Sequence, residues 1–180
     1  EMLNYDREQG FAVNKTQSEL PPIEGQWLDY GNLQEYLLEQ LRFVKHGSHL
    51  SDEEYNTAEF IIGNLDSNGY LVADIEEISQ ALKISPAEVH YALSIVQKLD
   101  PLGVGARNLK ECLKLQFSLI PDCPPKLEGM LDYLDDLAAG HLKKIASALD
   151  ISTSEVRTMG ELLRLLDPKP GSRFDQSMEI

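Results

Sequence analysis

"ISQALKISPAEVHYALSIVQKLDP" at residues 78–101 lies without a gap on "IASALDISTSEVRTMGELLRLLDP" at residues 145–168. Ile78 falls on Ile145, Ala81 on Ala148, Leu82 on Leu149, Ile84 on Ile151, Ser85 on Ser152, Glu88 on Glu155, Val89 on Val156, Leu99 on Leu166, and Asp100-Pro101 on Asp167-Pro168. Self-similarity of this kind marks one supersecondary unit used twice. In each copy a serine is followed three residues later by a glutamate, the spacing at which the two side chains satisfy each other's orphan backbone amides and start a helix. Each copy therefore reads as helix, turn, helix, stopped by a proline that lacks an amide and restricts the residue before it. Both then pass through glycine to arginine, as "LGVGAR" and "KPGSRF".

Working outward, the same start signal appears as Asn32 with Glu35, Ser51 with Glu54, Asp74 with Glu77 and Asn108 with Glu111, and Pro86 at a first helical position reinforces the Ser85 start. Leu33, Tyr36, Leu37, Leu41 and Val44 share one stripe, and Ala58, Ile61, Ile62 and Leu65 another. The spacing predicts helices near 32–46, 52–65, 74–82, 86–99, 109–119, 125–138, 141–149 and 153–166. "GYLVA" is the one strand-like run and is short enough for an extended connector. The fold class is all-α, with two helical subdomains containing the repeated helix-turn-helix-like units. Residues 1–29 form an acidic flexible linker, with folded structure beginning near Trp27; residues 30–120 form the first subdomain, and 121–180 a smaller second one with a C-terminal tail. "PDCPP" is the joint.

The chain has 180 residues and a net charge of −14, from 16 Lys and Arg against 30 Asp and Glu. That balance repels nucleic acid at long range, so a basic protein surface is the more natural partner and any DNA contact is local. No apolar run approaches the roughly 18 residues of a membrane span. The chain is read as a soluble, cytoplasmic fragment of a longer protein, with no membrane partner. Cys112 and Cys123 are expected as reduced, independent thiols. His46, His49, His90 and His141 have no metal-ligand spacing. "NLDSNGYLVADI" imitates a calcium loop but has Ile75 where the closing acid belongs. With no phosphate loop, nucleophile elbow or acid/base pair, no enzyme activity and no cofactor are expected. As DNA readers the two units offer only His90 and Lys98, and Arg157 and Arg164. A tandem helix-turn-helix DNA-binding module stands as the alternative function.

"LDPLGVGARNLKECLKLQ", residues 99–116, is the sharpest motif. One reading is a turn and capped helix with Leu109, Cys112, Leu113 and Gln116 toward a core. The other uses Arg107, set on a tight bend before a helix start, where a guanidinium suits bidentate recognition. An internal clamp and a partner contact are both open.

"NLQEYLLEQL", "AEFIIGNLDSNGYL", "LDPLGVGARNLKECLKLQ" and "LDPKPGSRF", in that order, resemble the core-binding region of the bacterial enhancer-dependent sigma factors, the sigma-54 family, over residues 30–175. The resemblance implies a module that binds core RNA polymerase for transcription initiation and works with an ATP-hydrolysing activator. Promoter DNA would be met mainly through segments outside this chain. Within this region Arg107, Asn108, Lys110, Glu111, Lys114 and Gln116 are expected to face polymerase, an assignment the match itself does not make. Structural roles fall to Leu65, Asp66, Gly69, Tyr70, Asp100, Pro101, Gly103, Gly105, Asp167, Pro168, Gly171 and Arg173.

Overall fold

The computed structural model describes residues 32–175; the linker expected over 1–29 and the start near Trp27 lie outside the described residues. Asn32 opens α1 (Leu33–Gly47) by accepting the Glu35 amide at 2.9 Å. Ser51 and Glu54 form a complete capping box at the start of α2 (Asp52–Gly63). The chain then turns through 64–74, where Leu65 and Leu71 make an isolated antiparallel bridge, so "GYLVA" is a connector.

The first helix-turn-helix is α3 (Ile75–Leu82) and α4 (Pro86–Val96); its counterpart is α8 (Leu142–Leu149) and α9 (Thr153–Arg164). Both turns are made alike. Lys83 and Asp150 each take left-handed backbone angles, φ 57 and φ 54. In each case the following isoleucine amide returns to the last turn, Ile84 to Ser79 and Ile151 to Ala146. Ser85 with Glu88 and Ser152 with Glu155 then cap the second helix as expected. The repeat is thus reproduced down to its main-chain hydrogen bonds.

Between the units lie α5 (Leu109–Leu115), a 3-10 turn at Phe117–Leu119, α6 (Leu127–Met130), a second 3-10 turn at Leu131–Tyr133, and α7 (Leu134–Ala138). Two expectations are corrected here. The helix expected over 109–119 ends at Leu115, where Gln116 is the cap. The helix expected over 125–138 breaks in two, because Tyr133 leaves helical angles at φ −119, ψ 26. A short α10 (Ser172–Asp175) was not expected at all.

Two apolar cores result. α1 to α4 bury Leu37, Leu41, Ile61, Ile62, Ile78, Val89 and Val96, and α5 to α9 bury Leu127, Met130, Leu131, Ile145, Val156 and Leu163. A fully buried side chain of this size contributes about 1.5–3 kcal/mol. The boundary expected after residue 120 does not follow these cores. Leu113 and Ile120 pack into the second, while Phe174, far along the chain, is buried in the first with its ring 5.5 Å from that of Tyr36.

A longer repeat emerges in three dimensions. "NLQEYLLEQ" at 32–40 and "NLKECLKLQ" at 108–116 are both Asn-capped helix starts ahead of a helix-turn-helix, and their closing glutamines do the same work. Gln40 accepts the Asp100 amide at 2.7 Å and donates to the Asp100 carbonyl at 2.5 Å. Gln116 accepts the Asp167 amide at 2.8 Å and donates to the Asp167 carbonyl at 2.6 Å. Each Asp-Pro bend is therefore gripped, donor and acceptor together, by a side-chain amide from the first helix of its own half.

Candidate functional site

The spacing of the four motifs has a spatial cause, since three of their bends meet at one place. Asp66 folds the 66–70 loop by accepting the Asn68 and Tyr70 amides on one carboxylate oxygen, both at 2.9 Å. A carboxylate committed to two amides of its own turn is a loop organiser, and the calcium-like appearance of this stretch ends there. Gly69, at φ 93, offers its carbonyl to the Gly105 amide at 2.9 Å, and the Leu71 amide reaches the Ala106 carbonyl at 2.9 Å. From the other side the Gly171 amide donates to the Asn68 carbonyl at 2.9 Å. Gly171 sits so close that a Cβ would stand 2.5 Å from the Ser67 carbonyl oxygen and 2.8 Å from the Gly69 nitrogen. Gly103, at φ 103, would bring a Cβ to 2.8 Å from the Gln116 amide and 2.9 Å from Cys112 Sγ. Only glycine fits either place.

Tyr70 and Cys112 close the junction. The Tyr70 hydroxyl donates to the Pro168 carbonyl at 2.5 Å, and Cys112 Sγ lies 3.6 Å from the Asp167 carbonyl. Burial pushes the Tyr70 phenol and the Cys112 thiol upward, so both stay protonated donors. Both cysteines are free thiols. Leu65, Pro101 and Gly105 are packed around the same junction, with Val104 and Ala106 fully buried between them. Asp100 also accepts the Tyr36 hydroxyl at 2.9 Å, while Asp167 faces Arg173 at 3.5 Å.

From this rigid base α5 projects one face. Arg107, Asn108, Lys110, Glu111 and Lys114 line an open groove of about 640 Å³ together with Leu115 and Ser118. Asn108 caps the helix, accepting the Glu111 amide at 2.9 Å. Glu111 does not complete the capping box. Its carboxylate instead takes the Arg107 amide at 3.1 Å, the Arg107 guanidinium at 2.9 and 3.3 Å, and the Gln97 amide at 2.9 Å. Burial works against ionising Glu111, but the hydrogen bonds from Arg107 and Gln97 outweigh it and hold its carboxyl below the usual range. Gln97 also reaches the Gly105 carbonyl at 3.1 Å, so the Arg107 bend is clamped to the end of α4. Lys110 and Lys114 cross to Asp132 and Glu128.

One expected site residue is corrected. Gln116, expected to face polymerase, is 2% exposed and occupied with the Asp167 backbone, on the opposite side of α5 from the groove. Leu109 departs from the expected core in the other direction and is 42% exposed. Gln40, Gln97 and Glu128 were missed by sequence reading. Gln40 alone carried a signal, its matching place in the two Asn-Leu-capped stretches.

Among the described residues no helix is long and apolar enough to cross a membrane. A family profile described as "Sigma-54 factor, core binding domain" matches residues 24–180. The chain is 35% identical over 144 residues to a putative RNA polymerase sigma-54 factor of Clostridium kluyveri, covering 79% of this chain and 31% of that protein. It is 36% identical over 136 residues to an RNA polymerase sigma-54 factor of Pseudomonas aeruginosa, covering 71% of this chain and 27% of that one. With an RNA polymerase sigma-54 factor of Bacillus subtilis the identity is 30% over 164 residues, covering 91% and 38%. The chain spans about a third of the length of these curated relatives.

Proposed function

The chain belongs to the sigma-54 factor core-binding domain family, and from that premise we propose that it docks on core RNA polymerase as part of a transcription initiation factor. The groove along α5 is its docking face. The observation that supports this reading is the contrast between a rigid base and an exposed polar helix. Gly103, Gly171 and the Gln116 grip fix α5 from behind, leaving Arg107, Asn108, Lys110, Glu111 and Lys114 toward solvent. A surface held from below loses little freedom on binding, which favours affinity. Its ion pairs are exposed, so exchanging Lys110–Asp132 or Lys114–Glu128 for partner contacts costs little.

On this reading the chain's net acidity steers it at long range toward basic polymerase surfaces and discourages loose DNA binding, while at the α5 face Lys110 and Lys114 exchange Asp132 and Glu128 for acidic groups of the partner. The full factor works in the cytoplasm with an ATP-hydrolysing activator, and recognises promoters mainly through segments beyond this chain. The test is gel filtration of the chain with sigma-free core polymerase. Wild type co-elutes, and Lys110→Glu with Lys114→Glu weakens co-elution at least tenfold with helicity unchanged. A folded wild-type chain that elutes alone overturns the assignment.

A further inference from the structure

The register that sets Ile78 on Ile145 also sets Arg107 on Phe174, and around these residues the two copies of the repeat part company. In the first copy the stretch after Asp-Pro closes on its own half: the Gly105 amide donates to the Gly69 carbonyl and the Leu71 amide to the Ala106 carbonyl, both at 2.9 Å. In the second copy it crosses over. The Pro168 carbonyl accepts the Tyr70 hydroxyl, the Gly171 amide donates to the Asn68 carbonyl at 2.9 Å, and Phe174 lies buried in the first core against Tyr36.

The crossing segment is nonetheless folded on the second half. The Lys169 amide and the Arg173 guanidinium turn back to the Asp167 carboxylate, and Ser172 turns its amide and hydroxyl to the Lys169 carbonyl. Gln116 in turn holds Asp167 to the end of α5. Residues 168–174 are thus a preshaped strap of the second half with an aromatic plug at its tip. Among the described residues the principal packings of helix on helix fall within α1 to α4 or within α5 to α9, and none of these joins the two sets. The halves are joined instead by this strap and by the root of α5, where extended Asn108 leads out of the Gly105 bend and Gln97 reaches Glu111.

We propose that residues 168–174 are a clasp. Closed, with Phe174 seated, the clasp holds the two halves in one orientation. Open, it stays with the second half, which swings about the root of α5. Its hold on the first half rests on a single aromatic side chain driven into that core, and an attachment that buries so little apolar surface opens before the cores it joins. The joint expected at "PDCPP" permits no such swing, since Leu113 and Ile120 before it and Leu127 after it all pack into the second core. A closed clasp presents the surfaces of both halves to a partner as one rigid body, whereas an open one leaves the second engagement to the reach of a tether. The device does not depend on what docks on α5.

Two measurements on the 180-residue chain test it. In native-state hydrogen exchange the Gly171 amide, which crosses between the halves, exchanges about tenfold or more faster than the Leu71 amide, which does not. Electron–electron distances between nitroxides at E76C and K143C, in a C123S background that leaves only the buried Cys112, give one narrow peak. F174A broadens that peak, and G171A does so from outside the first core, with far-UV circular dichroism unchanged. Where F174A disturbs α1 to α4, G171A decides. Equal protection of the two amides overturns the proposal, and so does a broad peak in wild type. A peak that stays narrow in G171A or in folded F174A also overturns it, and would make Phe174 a core residue and nothing more.

Discussion

Gln40 and Gln116 bracket the backbone of an Asp-Pro bend in the same way, yet Gln40 is half-buried and Gln116 almost wholly so. In the first half, water reaches Asp100 if the glutamine leaves. In the second, Asp167 is half-buried at the junction of three bends, beside Cys112 and Tyr70, and a lost glutamine leaves its amide without an acceptor. One local device therefore has two energetic weights, set by its surroundings. Each half has its own apolar core, but only in the second does the glutamine grip lie against the junction of the bends.

The sharpest way to break this comparison is Gln116→Ala. Leaving the Asp167 amide unpaired and its carbonyl to the Cys112 thiol alone costs about 1–3 kcal/mol, read as a lower urea midpoint with unchanged slope. Gly171→Ala is next. Its Cβ would meet backbone atoms of residues 67–69, which cannot move aside as a flexible side chain would, and a loss of about 2–3 kcal/mol is expected, with faster proteolysis after Pro168. Gln40→Ala sharpens the contrast at about 1 kcal/mol, since solvent replaces the amide. A cost for Gln40 equal to that for Gln116 would refute the burial argument.

The smallest effect is on pH dependence. Glu111 has its folded pKa lowered by Arg107 and Gln97 despite burial, so its contribution is present above the unfolded glutamate value of about 4.3 and fades as pH falls through the folded one. Glu111→Gln therefore costs stability at neutral pH, and its deficit against wild type narrows below about pH 4 in thermal melts.

Helix starts and the helix-turn-helix repeat were legible because capping boxes and Asp-Pro stops are local signals. Ser51, Ser85 and Ser152 cap as their spacing requires. The ends of α3 at Leu82 and α8 at Leu149 fell where expected, but the ends of α4 and α5 did not, because distant partners set them. Val96 ends α4 where Gln97 turns to Gly105 and Glu111, and Leu115 ends α5 where Gln116 turns to Asp167. Ahead of the break at Tyr133, Gly129 in α6 lets α8 approach, with Leu149 Cδ2 only 3.0 Å from a Cβ built there. Of the α5 site, the exposed residues were legible from helical spacing. The role of Gln116 was not, since a glutamine seen only in sequence gives no sign that its partner is a peptide group far along the chain.

That grip also divides the freedom to vary unequally between its two ends. Gln116 reads the peptide group of Asp167 as one strand reads its neighbour in a ladder, and is indifferent to the side chain attached there. For the grip alone any residue that keeps the bend serves at 100 and 167, where the aspartate side chains answer instead to Tyr36 and Arg173, but a glutamate at 40 or 116 would lose the donor and a leucine both poles. Covariation searches built on side-chain pairs would overlook the coupling, since only one partner in it has a side chain to change.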